Sequence, residues 1–287
     1  MAKKRTRVPV GLCPDYQLQD SGVIKIARCF KSPVDPWVKG ARVPDYLDLV
    51  DHSFKLGQKK YKKELSRQEQ RLSTLVRRLK DEKMSLVVVF QGRDGAGKTG
   101  ASKRIVDGVD DWRLIRVIPI GAPTDEERSQ PYMLRFFERD RMPAFGEVRI
   151  LDRSWAEEVL VVPVMELASK THVHNCYSEI RTLEWLVRRS RTIVVKIWLD
   201  ITKDEQESRF AIRQKEKPWK YLESDEVAFK HWDDYTLWGN RLFYWTGSEY
   251  APWFVVPADD KLFSRVTCLK VINNEIEKEL ESAFRSV

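Results

Sequence analysis

The stretch Leu86-Val87-Val88-Val89-Phe90-Gln91-Gly92-Arg93-Asp94-Gly95-Ala96-Gly97-Lys98-Thr99-Gly100 constrains the chain more than any other. An apolar, β-branched run reads as a buried parallel strand, and it breaks into a turn of the form G-x-x-x-x-G-K-[ST]. Gly92, Gly95 and Gly97 let backbone N–H groups converge on an anion with no Cβ in the way, and Lys98 opens a helix whose positive end faces the same point. Thr99 adds a hydroxyl suited to Mg2+. The spacing predicts a phosphate-binding loop made of Gly92, Arg93, Gly95, Ala96, Gly97, Lys98, Thr99 and Gly100.

With 287 residues and 42% apolar content, one α/β domain with extensions is the simplest organisation. No run reaches the roughly 18 apolar residues that cross a bilayer. The basic start, Met1 to Arg7, is followed by no apolar segment adequate for a signal peptide, so a cytoplasmic protein is expected. Cys13, Cys29, Cys176 and Cys268 form no C-x-x-C pair, which favours free thiols over a disulfide frame or a zinc site. His52, His172, His174 and His231 match no catalytic or metal pattern, and His172-Val173-His174 falls in a stretch that reads as a loop. The net charge of +8 is concentrated early: residues 1–83 hold 20 Lys and Arg against 10 Asp and Glu. That excess either attracts a polyanion or is a solvated helix face.

Residues 1–45, with five prolines, read as an irregular arm, and residues 46–287 as the phosphate-binding domain. From Tyr46 to Lys83 the pattern is helical, with Leu65, Leu72, Leu75, Val76 and Leu79 on one stripe and a largely basic opposite face. A helix from Lys98 to Gly108 precedes a second strand, Leu114 to Ile118. Thr124 caps a helix expected over Asp125 to Asp140. The third strand, Val148 to Asp152, carries an aspartate at its carboxyl end, on the rim where open α/β sheets gather ligands. Helices at Trp155 to Ser169 and Tyr177 to Arg189 lead to the strand Thr192 to Leu199. A capping box at Thr202 to Glu205 then opens a helix bearing Arg209 and Arg213. Lys215 to Lys220 suits a mobile basic lid over phosphates or an ordinary charged loop, and the lid as a whole spans about 202–232. A helix from Asp225 to Trp245, a strand at Trp253 to Val256 and a helix from Lys261 to Phe284 complete a three-layer P-loop kinase-like sandwich: five parallel strands flanked by helices, with a helical lid. Most of the ten tryptophans read as core, with base stacking open for Trp155 and Trp219.

In this order the motifs resemble the polyphosphate kinase 2 family of P-loop phosphotransferases. The matching pieces are Gly92 to Gly100; Ala122-Pro123-Thr124-Asp125-Glu126-Glu127; Gly146-Glu147-Val148 leading to Asp152-Arg153-Ser154-Trp155; Ile201 to Gln206 with Arg209 and Arg213; Trp219-Lys220; Trp232-Asp233-Asp234-Tyr235; and Ala251 to Lys261. The resemblance covers roughly residues 60 to 280 and implies Mg2+-dependent phosphoryl transfer between inorganic polyphosphate and a nucleotide (ADP/ATP, GDP/GTP, with AMP as a further acceptor). It implies functional roles for Asp94 and Asp152, phosphate contacts by Lys98 and Arg153, and lid charge from Arg209 and Arg213. Asp94, Asp152 and Thr99 are the expected Mg2+ ligands; for Arg153 a structural salt bridge is the rival role. Neither nucleic acid nor membrane is an expected partner, and a homodimer or homotetramer is expected. The run Trp155 to Val164 looks like the branch whose members accept mono- as well as diphosphates, although that branch usually has Asn where Asp152 stands. Pro163 replaces its arginine, the lid is about two residues shorter between Arg213 and Trp219, and Leu222 stands where a serine is usual. The rival functions are an ATP-dependent nucleotide kinase and a polyanion-binding protein with an inactive P-loop.

Overall fold

Backbone groups of the run around Val88 are satisfied on both sides by parallel neighbours, and the sheet grows outward from there. The computed structural model describes residues 16–34, 38–138, 140–216 and 229–285. Its strands are β1 (Tyr16–Leu18), β2 (Ile24–Ile26), β3 (Ser85–Gly92), β4 (Ile115–Pro119), β5 (Val148–Asp152), β6 (Thr192–Asp200) and β7 (Trp253–Pro257). They form one sheet in the order β1-β2-β7-β6-β3-β5-β4. The five strands from β7 to β4 are parallel, so their carboxyl ends share one rim, and Phe90 of β3 sits beside both Ile197 of β6 and Asp152 of β5.

The expected count of five strands is corrected to seven. β1 and β2 come from the stretch that reads as an irregular arm: β2 pairs antiparallel with the free edge of β7, and β1 antiparallel with β2. Three residues are too few to show a period of two, and it is the unpaired backbone of β7, not their own pattern, that recruits them.

The helices are α1 (Gln58–Asp81), α2 (Lys98–Asp107), α3 (Asp125–Arg128), α4 (Glu157–Val164), α5 (Lys170–Arg189), α6 (Lys203–Glu216), α7 (Trp232–Thr246) and α8 (Lys261–Arg285). Alternate side chains of β3 feed two cores. Leu86, Val88 and Phe90 pack with Leu72 and Leu79 of α1, Ile105 of α2 and Leu269 of α8. Val87 and Val89 pack on the other face with Val159 of α4, Ile180 of α5 and Leu242 of α7. Trp155 is wholly enclosed in this second core, so base stacking by it is excluded, whereas Trp219 lies outside the described residues.

Several expected boundaries move. The helix read from Tyr46 begins at Gln58, after a 3-10 turn at Leu47–Leu49. The helix read over Asp125 to Asp140 stops at Arg128 and resumes as a 3-10 turn at Tyr132–Phe137, because Pro131 offers no N–H and disfavours helix at the residue before it. The helix read to Ser169 ends at Val164, ahead of Glu166 in the left-handed region. Ser169 then caps α5, so His172 and His174 stand on a helix and not in a loop. Of the expected lid segment, residues 217–228 lie outside the described residues.

Candidate phosphate-binding site

The strand-to-helix turn after β3 is shaped by two glycines in particular. Gly92 has φ +132°, and a Cβ there would fall 2.3 Å from the Leu199 carbonyl oxygen, so β6 closes against the loop only because that side chain is missing. Gly97 has φ +101° and precedes the first residue of α2 in open space. Lys98 curls back over the turn, donating from Nζ to the Gly92 and Arg93 carbonyls at 2.8 and 3.2 Å, with the Asp94 carboxylate 3.6 Å away.

A cleft of about 620 Å³ opens above this turn, lined by Asp94, Gly95, Gly97, Lys98 and Thr99 from the loop, Asp152 and Arg153 from the tip of β5, Arg209 and Arg213 from α6, and Lys261 at the start of α8. Lys98 and Asp152, far apart in sequence, therefore face one space. The β3–β5 register places Asp152 there. Arg153 takes φ +68°, a strained turn for a residue with a Cβ, and reaches Asp94 at 3.7 Å and Glu157 at 4.0 Å. Burial pulls the Arg153 guanidinium's pKa down, but Glu157 and Asp94 outweigh it and hold the group firmly charged. Burial likewise pushes the Glu157 carboxyl up, against Arg153.

Not every expected loop residue faces the cleft. Arg93 turns away: its guanidinium lies 3.5 Å from Asp200, bonds Thr236 Oγ1 at 2.6 Å and stacks on the Trp232 ring. Ala96 points into the core, and Gly100 makes room for Arg265. Together with Gly92, these residues shape the loop from outside the lining.

Arg209 lines the cleft but is mostly committed to backbone. Its Nη1 donates to Gly95 O at 2.9 Å, its Nη2 to Ala258 O and Asp259 O at 2.7 and 2.8 Å, and its Nε to Glu205. Beside it, Gln206 Nε2 donates to Asp94 O at 2.7 Å. The start of α6 is thus a clamp on the loop, while Arg213, one turn on, lines the cleft and approaches the Phe210 ring.

Lys261 and Arg135 carry roles that motif reading did not assign. Burial, then the neighbouring Arg209, Arg265 and Arg213, lower the Lys261 ammonium's pKa, with Glu205 opposing; cations crowded this way suit an anion. Arg135 is buried and bonds the Gly121 carbonyl and the Glu127 carboxylate. Glu127 also completes the capping box with Thr124, so this motif braces the cleft wall at Gly121. The sequence signal for both was membership in or near a quoted motif.

The donor set fits a hard divalent cation. Asp94 and Asp152 offer carboxylates and Thr99 a hydroxyl, all lining the same cleft beside a lysine, which is the oxygen-only environment that Mg2+ shares with phosphate.

Fold and cleft together define a P-loop α/β protein with a kinase-like fold. The chain belongs to the polyphosphate kinase 2 (PPK2) family, whose pattern matches residues 55–283. It is 39% identical over 233 residues to the polyphosphate:AMP phosphotransferase of Pseudomonas aeruginosa, covering 80% of this chain and 46% of that protein. It is 35% identical over 221 residues to ADP-polyphosphate phosphotransferase 3 of Rhizobium meliloti, covering 76% and 77%. The crystal structure of polyphosphate kinase 2 from Arthrobacter aurescens superimposes with a TM-score of 0.76 at 30% identity, over 88% of this chain and 92% of that one. The chain spans about half the length of the Pseudomonas relatives it matches.

Proposed function

We propose that this chain moves a phosphoryl group between inorganic polyphosphate and a nucleoside di- or monophosphate, ADP or GDP and also AMP, with Mg2+ as the divalent metal that kinases of this family generally need. The observation that carries the reading is the single cleft in which Lys98, Thr99, Asp94 and Asp152 face Arg213 and Lys261. The terminal oxygen of an acceptor such as ADP is already anionic, so the transfer needs position and charge compensation and no general base.

In this reading the loop amides and Lys98 hold the phosphates of one substrate, and Asp94, Asp152 and Thr99 hold the metal. Held there, Mg2+ would supply positive charge to offset that of the phosphate oxygens. Arg153 stabilises the transferring group while Asp94 and Glu157 keep its guanidinium placed. Arg213 and Lys261 supply further positive charge that attracts the polyphosphate chain. Arg209 acts chiefly by holding Gly95. The lid extends over about 202–232 and the domain over 46–287, with β1 and β2 of the preceding segment added to its sheet; the protein is cytoplasmic and assembles as a homodimer or homotetramer.

The test is incubation of the purified protein with long-chain polyphosphate, Mg2+ and AMP or ADP, without ATP, followed by nucleotide analysis. Formation of the next higher phosphate supports the proposal. Transfer only when ATP is supplied would make the chain an ATP-dependent nucleotide kinase. Salt-sensitive polyphosphate binding without turnover would make it a polyanion-binding protein.

A further inference from the structure

Outside the cleft, one cluster of side chains has the composition of a metal centre. Glu158 on α4 and His172 and Cys176 on α5 bring one ligand atom each within 4.8 Å of one another. His172 and Cys176 are four residues apart, so one turn of helix sets them on the same face, and α4 packs against α5 to deliver the carboxylate. His172 Nε2 lies 2.6 Å from Glu158 Oε1 and 3.5 Å from Cys176 Sγ.

That arrangement overloads one atom. A neutral imidazole nitrogen offers either a proton or a lone pair in one direction, yet a carboxylate and a thiol both converge on it. If Nε2 donates to Glu158, the thiol is left at the fringe of that bond; if Nε2 accepts from the thiol, the carboxylate faces a lone pair. A cation seated among the three satisfies all of them.

We propose that Glu158, His172 and Cys176 form a binding site for a thiophilic divalent cation of the zinc type, with a fourth position open to water. Sulfur and imidazole ligands select zinc over magnesium, which separates this site from the oxygen-only cleft. Tetrahedral zinc with ordinary bond lengths separates a sulfur and a nitrogen ligand by about 3.5 Å and a nitrogen and an oxygen ligand by about 3.4 Å. The Cys176–His172 spacing already matches, and the Glu158 carboxylate needs to swing outward by under ~1 Å on its flexible stem. The His172 side chain is 46% exposed, giving the ion an entry path, whereas Glu158 is largely buried and Cys176 fully so. Burial raises the pKa of the Cys176 thiol, and a coordinated cation supplies the charge that the thiolate needs. The neighbouring residue, Glu157, reaches Arg153 in the cleft wall, so the metal would brace the start of α4 one residue from that contact. The inference stands on this cluster alone and is independent of the proposed reaction.

The test uses the reduced full-length chain with excess Mg2+ present, titrated with Co2+ and then with Zn2+. One equivalent of Co2+ is expected to give a near-ultraviolet thiolate-to-cobalt absorption band that Zn2+ displaces. His172→Ala, at the exposed ligand, and Glu158→Gln should each weaken binding by more than about tenfold, the loss that even an outer partner of a metal site brings. Cys176→Ser should abolish the band; should that variant not fold, His172→Ala carries the test. No band in the wild-type chain would overturn the proposal. So would a band of unchanged strength in His172→Ala, which would assign the thiolate to Cys13, Cys29 or Cys268 and leave the His172–Glu158 contact as an ordinary ion pair.

Discussion

Arg209 donates from Nη1 to the Gly95 carbonyl at 2.9 Å, so the helix after β6 grips the phosphate loop after β3 across the rim of the sheet. The same guanidinium holds the carbonyls of Ala258 and Asp259 beyond β7, tying three separate strand ends together. A planar fork with several fixed donors does this, and a single ammonium does not.

Arg209→Lys and Arg209→Ala are therefore both expected to destabilise the fold, the alanine variant by about 2–4 kcal/mol, because buried carbonyls lose a charged donor. Urea unfolding midpoints measure this. Unchanged midpoints with lost turnover would instead return Arg209 to the role of a direct phosphate contact.

Lys98→Ala and Asp152→Asn should fold with native circular dichroism and lose phosphoryl transfer. Preorganised charge of this kind is worth about 10²–10³ in rate for each group removed. Steady-state turnover with polyphosphate and ADP measures the loss, and wild-type rates in either variant would remove that residue from the site.

His52 lies 3.2 Å from Asp200 and 3.4 Å from Asp259. Burial opposes its charge, but Asp200, Asp259 and Asp51 outweigh burial and raise its pKa above 6.5. Its contribution to stability is whole below pH 6.5 and fades as the pH climbs through the raised value. His52→Gln should remove that component, so the stability gap between wild type and variant narrows as the pH rises, as thermal melts at pH 6 and pH 9 would record. A gap independent of pH would show that His52 serves only by packing.

Lys196 and Glu184 form an ion pair with no solvent exposure, Nζ lying 2.8 Å from both carboxylate oxygens, and Trp155 Nε1 donates to the same carboxylate at 2.9 Å. Burial drives the lysine's pKa down and the glutamate's up, while each partner opposes the shift of the other. Lys196→Met alone should cost about 3–5 kcal/mol, since it strands a buried carboxylate. Adding Glu184→Leu should recover part of that loss, as a double-mutant cycle in urea would show; a double variant less stable than the single would mean that the Trp155 bond dominates.

The parallel strands were legible because each is a short run rich in β-branched and apolar residues, broken at most by one Arg or Lys and bounded by turn residues, and the phosphate loop because its spacing is dictated by the anion it fits. β1 and β2 were not legible, for they are three-residue segments whose conformation is set by the edge of β7. Motif order also placed Arg209 and Arg93 among phosphate-binding residues. The structure gives Arg93 to Asp200 and Trp232 and most of Arg209 to backbone carbonyls, because a motif records which residue type is needed and not which way its side chain points.

By itself, then, the sequence determined the strand-loop-helix unit around Lys98, the aspartate at the end of β5 and the family to which they point. Only the tertiary structure decided that Lys261 joins Lys98 and Asp152 in one cleft, and that Glu158, His172 and Cys176 meet where α4 packs on α5. Local propensity and spacing act over a few residues, whereas these meetings depend on sheet register and helix packing between segments distant in the chain.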